Sequence, residues 1–285
     1  MIKNNRIGPL CMVAASLCWS LGGLSIKFIP WSGMSIIGLR ALLAAIVFTI
    51  YRRSIKIQFT KGNMLAGVCL SSTTIMYVFA NQLTTAAAAI LLQFTSPIFI
   101  LLFRFVFYRK IPKPAEAVAV IATILGMLLF FADELSAGGT LGNLLAIGSG
   151  VAFAGVIMCN QRPDTVPEHS IMLGFLINAT IWTPFAFFDP NITADPVAWG
   201  FLALMGIVQV GLAYIFFSIG IKRTSALLAC LTTALEPVLN PLWVALATPE
   251  RPGRFALAGG AVIIIAIVGY NIWAEKQRGA EGEQK

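Results

Sequence analysis

The chain has 285 residues, 58% hydrophobic and 11% charged, with a mean hydropathy of +0.84 and a formal charge of +8. A soluble domain carries roughly 25% charged residues, so this composition excludes a water-soluble globule and points to an integral membrane protein. The basic excess is no nucleic-acid footprint, because it is divided among short segments between apolar stretches and forms no single patch.

A spanning helix needs about 20 mostly apolar residues, since its backbone must be satisfied inside lipid. Ten stretches qualify, near 8–28, 33–52, 63–84, 85–107, 114–132, 139–160, 170–188, 197–219, 224–247 and 254–274. Their joints are short and marked by Pro, Gly or charge, as in PKPAE, DELSAGG, RPDTVPEH and DPNITADP. The opening MIKNNRIGPL is like the start of a signal peptide, but the apolar run behind it carries Ser16, Trp19 and Ser20 and lacks a small-residue cleavage pattern, so it reads as retained. Those three residues share a face of the first span, and Gly22 and Gly23 allow a neighbour close approach.

In the second span, Arg40 lies about 10 Å from the nearer end, deep enough to require a partner. A structural or gating ion pair and a substrate carboxylate both answer that need. The third span carries Thr73, Thr74, Tyr77 and Asn81 as one stripe, and the fourth carries Gln93 and Ser96 on one face beside Pro97. Arg104 is near enough to a membrane surface to snorkel. Asn178 and Trp182 mark the seventh span, and Gln209 and Tyr214 the eighth.

The ninth span holds the most informative residue. Glu236, in LTTALEPVLNPLW, lies about 18 Å along a helix begun at Thr224, just past the middle of a roughly 30 Å hydrocarbon core. A carboxylate there costs about 2.5–3.5 kcal/mol by insertion scales and is normally found facing a polar cavity or partner. Thr232, Thr233, Glu236, Asn240 and Trp243 form one stripe. A neutral carboxyl suits proton coupling, an ionised one suits a substrate cation, and a purely structural role in capping the kinked helix is the competing reading. Pro237 and Pro241 free the carbonyls of Thr233 and Pro237, and Pro97 frees that of Gln93, which makes the fourth and ninth spans candidates for kinked, cavity-lining gates.

The five cysteines, Cys11, Cys18, Cys69, Cys159 and Cys230, all fall within spans and read as small packing residues. Asn191-Ile-Thr193 fits a glycosylation sequon, and the single His169 lies in a polar joint. With the N-terminus inside, fifteen basic residues flank the inner ends of the spans and three, Lys27, Arg251 and Arg254, the outer ends. The positive-inside rule then places both termini in the cytoplasm of a multi-pass cell-membrane protein.

Residues 84–124 overlay 224–264 at a constant shift of 140, with eight identities in 41 positions. Both helix-interior prolines, Pro97 and Pro237, and both post-helix prolines, Pro112 and Pro252, fall in register. Five spans per half is an odd number, so the second half enters the membrane from the opposite side. Inverted halves predict an all-α fold of two five-helix repeats, 1–137 and 138–285, around a central cavity with the binding site between them.

QLTTAAAAILLQFTSPIFILLF and TSALLACLTTALEPVLNPLWVALATPERP resemble the paired signatures of the drug/metabolite transporter superfamily, in its ten-helix EamA-type branch, and Trp19 and GLRALLAA are similar to further family features. The resemblance covers the whole chain. It implies a basket lined by the first, third, fourth, sixth, eighth and ninth helices and closed alternately on each side. Family members usually carry Gly-Glu after the fourth and ninth helices; Glu250 matches, whereas Lys110 stands at the first position.

The function classes separate on what is present. No HExxH, GxSxG or P-loop spacing occurs, and the polar residues gather toward mid-membrane without forming an end-to-end pore ring. The expected activity is secondary transport of a small organic metabolite, an amino acid, amine or similar, by alternating access. Proton coupling and export are compatible with it, and a channel-like facilitator or an accessory membrane protein is the alternative. Trp19, Tyr77, Asn81, Gln93, Ser96, Gln209, Tyr214, Glu236 and Asn240 are the expected substrate-binding residues, with Arg40, Pro97, Pro237 and Glu236 in coupling or gating. No metal or cofactor is expected, and the partners are a small-molecule substrate, the lipid bilayer and possible coupling protons.

Overall fold

In a computed structural model the described residues are 7–132, 139–247 and 253–283. The expected repeat joint at 137/138 lies outside them, as do Asp133, Glu134 and the Glu250 of the second repeat motif. The described residues form helices joined by short turns. They make ten spans: α1 (Ile7–Trp19, resuming as Gly22–Lys27), α2 (Gly33–Arg52), α3 (Lys61–Leu83), α4 (Ala86–Gln93, resuming as Ser96–Tyr108), α5 (Pro114–Phe130), α6 (Thr140–Asn160), α7 (Pro167–Ala186), α8 (Pro196–Ile221), α9 (Ala226–Thr233, resuming as Leu235–Ala247) and α10 (Arg254–Glu283). Seven helical segments are long and apolar enough to cross a membrane, and Pro114–Phe130 and Ala226–Asn240 are shorter apolar helices.

Local chemistry sets the helix starts. Hydroxyls of Ser32, Thr60, Thr85 and Ser225 accept backbone N–H groups in the first turns of α2, α3, α4 and α9, and the Asp195 carboxylate does so for α8. Proline opens α5, α7 and α8, where its missing N–H is no loss.

The packing obeys a two-fold relation between the halves. Helix α3 packs on α6 and its counterpart α8 on α1, while α2 pairs with α7 and α5 with α10. The contact points correspond as well. A Cβ on Gly142 of α6 would lie 2.6 Å from the Leu83 carbonyl carbon, and one on Gly8 of α1 would lie 2.6 Å from the Arg223 carbonyl oxygen. Leu83 and Arg223 are 140 positions apart, the shift of the sequence overlay. A Cβ on Gly150 of α6 would lie 2.7 Å from the Gln93 carbonyl oxygen and 3.4 Å from that of Leu92, while Ser16 of α1 donates to the carbonyl of Thr232, the counterpart of Leu92, at 3.1 Å. Thr85 and Ser225, the caps of α4 and α9, share the same shift. Two odd-numbered halves related in this way run oppositely through the membrane.

Helices α4 and α9 break where the overlay demands. The first breaks at Phe94 and the second at Ala234, each three residues before a proline, Pro97 or Pro237. Pro241, in contrast, lies within a continuous helix. Helix α1 also breaks, at Ser20–Leu21, and the Trp243 indole N–H donates to the Ser20 hydroxyl at 2.7 Å across the gap to α9.

The membrane faces are tied by polar clamps. On the face opposite the N-terminus, the Asp189 carboxylate after α7 accepts from the Ser32 N–H at 2.8 Å, the Ser35 hydroxyl at 2.7 Å and the Asn191 N–H at 3.0 Å. Burial opposes its ionisation, but the Ser35 and Ser32 donors outweigh that and hold the carboxyl well below the usual range. A depressed folded-state pKa contributes stability that is present above the ordinary value of about 3.9 and lost as pH falls further. Asp189→Ala is therefore expected to lower the melting temperature by a constant amount above about pH 5, with the gap to wild type closing in acid; thermal unfolding in detergent across pH checks this. On the N-terminal face, His169 belongs to the first turn of α7, and its Nδ1 accepts the Gln58 N–H at 3.0 Å.

Candidate functional site

Between the halves lies a cavity of about 130 Å³. The broken and distorted helices build it. The Trp19 side chain, one residue before the α1 break, reaches its wall, as do Phe94 at the α4 break and Thr233 and Glu236 on either side of the α9 break. In α8 the residues Met205–Leu212 wind as a π-helix, a wider turn that often marks functional sites, and this segment presents Gln209 and Val210. Gly206 sits so near Leu43 of α2 that a Cβ would meet it at 2.5 Å.

Of the residues expected from sequence, Trp19, Arg40, Tyr77, Gln93, Ser96, Gln209, Tyr214 and Glu236 line this one cavity. Asn81 and Asn240 do not. The Asn81 amide is used one turn back on its own helix, donating to the Tyr77 carbonyl at 2.8 Å, and Asn240 lies a turn beyond Glu236, past the cavity wall. Pro97 and Pro237 are buried behind the wall, each in the first turn after its helix break. The lining implied by resemblance also widens: Arg40, Ile37 and Ala41 bring in α2, and Phe175 and Asn178 bring in α7. Phe153 of α6 is a wall residue that sequence reasoning passed over, since an aromatic in an apolar span carries no distinguishing signal.

Aromatic rings close one side. Trp19 meets Tyr214 edge-on at 5.1 Å, and Tyr214 meets Phe175 at 5.4 Å with nearly perpendicular planes. These geometries fix the rings as rigid walls. The polar groups on the other sides divide by whether the protein already satisfies them. Thr73 and Thr74 donate to Cys69 and Leu70 carbonyls of their own helix, the Gln93 amide donates to the Ser149 hydroxyl at 2.8 Å, and Asn178 accepts from Ser71 at 2.7 Å. The Gln209 Oε1 is buried without a hydrogen-bond partner.

Arg40 and Glu236 differ from these. Among the described residues neither is held by a hydrogen bond or a direct ion pair, and both line the cavity. Arg104, by comparison, pairs with Glu116 at 2.5 Å.

The EamA-like transporter family model matches residues 6–132 and again 140–272. The chain is 24% identical over 275 residues to the pseudopaline exporter CntI of Pseudomonas aeruginosa, covering 92% of this chain and 95% of that one. It is 23% identical over 286 residues to the threonine/homoserine exporter RhtA of Escherichia coli K12, covering 94% and 93%. A solved protein structure superposes with a TM-score of 0.79 at 20% identity, over 93% of this chain and 97% of its own, which shows a shared fold. The chain belongs to the EamA-like transporter family, within the drug/metabolite transporter superfamily, and is a multi-pass membrane transporter of small metabolites and not an enzyme.

Proposed function

We propose that the chain carries a small zwitterionic metabolite of the amino-acid class by alternating access, with the Arg40 guanidinium receiving the substrate carboxylate and Glu236 its ammonium group. The observation that carries this reading is that a guanidinium and a carboxyl, Arg40 and Glu236, face one cavity without a hydrogen bond or a direct ion pair to hold either of them. A charge removed from water requires compensation, and a substrate with both signs supplies it to both walls at once. The size supports the same class: an apolar cavity of about 150 Å³ accommodates benzene, so about 130 Å³ suits a molecule of comparable bulk. Trp19, Tyr77, Gln93, Ser96, Gln209 and Tyr214 complete the binding wall, and the breaks before Pro97 and Pro237 serve as hinges of the gates. The two repeats, 1–137 and 138–285, rock about this site. Basic residues such as Arg52, Arg53, Lys56, Arg109, Lys110, Arg162, Lys222 and Arg223 at the N-terminal face support a cytoplasmic position for that face in the cell membrane. Relatives that export threonine, homoserine and pseudopaline support export as the direction.

Proteoliposome counterflow with labelled neutral amino acids is the direct test. Saturable exchange that falls away for the methyl ester and for the 2-hydroxy acid analogue is expected. Ohmic, non-saturating flux indicates a channel-like facilitator and removes the carrier reading.

A further inference from the structure

The two membrane faces are tied by counterpart contacts of unlike chemistry. Helix α2 begins at Gly33 and α7 at Pro167, an offset of 134 that sets Ser32 opposite Val166 and Ser35 opposite His169. On the face opposite the N-terminus, Ser32 and Ser35 donate to the Asp189 carboxylate in the joint after α7. On the N-terminal face, the joint after α2 lies against the start of α7. There the Val166 N–H donates to the Asn63 side-chain oxygen at 2.7 Å, the Asn63 amide donates to the Gln58 carbonyl at 2.7 Å, and the Gln58 N–H donates to His169 Nδ1 at 3.0 Å. The Thr60 hydroxyl adds a bond to the Asp164 carbonyl at 2.8 Å. These bonds join the first five spans to the last five. A backbone N–H can only donate, so His169 Nδ1 must present its lone pair, and the ring is the neutral tautomer protonated on Nε2. An imidazolium has no acceptor to offer Gln58. It would also set a second cation against Arg52, whose Nη2 lies 3.1 Å from the same nitrogen and donates to the Lys56 carbonyl at 2.6 Å, and whose Nη1 is buried without a hydrogen-bond partner.

We propose that His169 is a pH-sensitive latch: protonation of its ring frees the 53–60 joint from the start of α7 and loosens the closure of the N-terminal face, while the Asp189 contact keeps the opposite face tied. The latch acts whatever the cavity carries. The other charged groups around it are Arg52 at the end of α2 and Glu168 on α7, with Tyr51, Lys222 and Arg223 within reach of their fields, while Asp164 across the joint is taken by Arg162. Carboxylates, ammonium, guanidinium and phenol groups ordinarily change charge outside the range of about pH 5.5 to 7.5, which leaves the imidazole to respond within it. The contact holds the neutral ring alone, so its contribution is complete above about pH 6.5, the ordinary imidazole value, and is lost as pH falls below it. The carboxylate contact on the other face is kept down to about pH 4.

Hydrogen exchange of the purified full chain at single-amide resolution tests this, compared at about pH 7.5 and about pH 5.5 after correction for the intrinsic effect of pH on exchange. Protection of the Gln58 amide is expected to fall about 5-fold in acid, the factor that one net hydrogen bond supplies, while that of the Ser32 amide stays constant. His169→Asn keeps an acceptor near the place of Nδ1 but does not titrate, and is expected to hold Gln58 protected at both pH values. His169→Ala is expected to lose that protection at both. Unchanged Gln58 protection in the wild type overturns the proposal without recourse to any variant. An equal fall in monodisperse His169→Asn overturns it by assigning the response to another group, and a fall of the same size at Ser32 overturns it by showing a general loosening in acid. Wild-type protection of Gln58 in His169→Ala overturns it as well, since the ring would then hold nothing.

Discussion

Glu236→Gln leaves the volume of the cavity nearly unchanged and removes its negative pole, so transport of a zwitterionic amino acid is expected to lose about 10- to 100-fold in apparent affinity. That range follows from about 1.5–3 kcal/mol for a hydrogen bond to a charged group. Affinity alone does not identify the partner of Glu236. Discrimination does: the wild-type preference for an amino acid over its 2-hydroxy analogue is expected to collapse in Glu236→Gln, because the lost partner is the ammonium group. Arg40→Gln is expected to do the reverse, abolishing the preference for the free acid over its methyl ester while retaining sensitivity to the amine. Counterflow with the three substrates, repeated across pH, reads both outcomes. Equal losses for all three in both variants would show that the two charges only maintain the helix arrangement. An unchanged pH response in Glu236→Gln removes that carboxyl from any proton coupling.

Gly38→Ala is expected to be the most damaging single methyl group that can be added to α2. Its Cβ would stand 2.3 Å from the Thr183 nitrogen and 2.4 Å from the Trp182 carbonyl carbon of α7. Those are backbone atoms of a packed helix, so neither can swing aside and the two spans must part. Overpacking typically costs about 1–3 kcal/mol, which lowers Tm by roughly 5–10 °C at the upper end for a chain of this length. Gly200→Ala is the matched control, since its Cβ would meet nothing within 4 Å. There the methyl group is expected to leave Tm unchanged or raise it, because alanine favours helix over glycine by about 1 kcal/mol. Thermal unfolding of both variants in one detergent separates a steric effect from a general intolerance of substitution in the membrane.

The ten spans were legible from the sequence because lipid allows so few solutions: an apolar run of about 20 residues between punctuating prolines, glycines and charges is a helix. The breaks in α4 and α9 were legible for a similar reason, since a proline in the middle of a helix removes a bond that must be replaced. The π-helix of Met205–Leu212 was not, as nothing in MGIVQVGL distinguishes it from an ordinary helical turn. The site was legible by face but not by depth or neighbour. Periodicity puts Asn81 on the same stripe as Tyr77, yet one turn moves it from the cavity wall to a bond with its own helix. Arg40 is conspicuous in an apolar run, but only the packing of α2 against α7 and the π-helical part of α8 brings it to face Glu236 on α9. The Arg104–Glu116 pair joins two spans across a turn and was hidden by the separation in sequence.

The correspondence of Gly8 with Gly142, and of Ser16 with Gly150, has a bearing on the conformation not seen here. If the halves are interchangeable in shape, tracing residues of the first along the path of the second, and the reverse, yields the form that faces the other compartment. Ser16 and Gly150 are the unequal members of that exchange: one grips its neighbour through a hydroxyl, the other merely lets it come near. In the proposed alternating-access cycle, that inequality is expected to make the two exchanged poses unequal in energy before any cargo arrives.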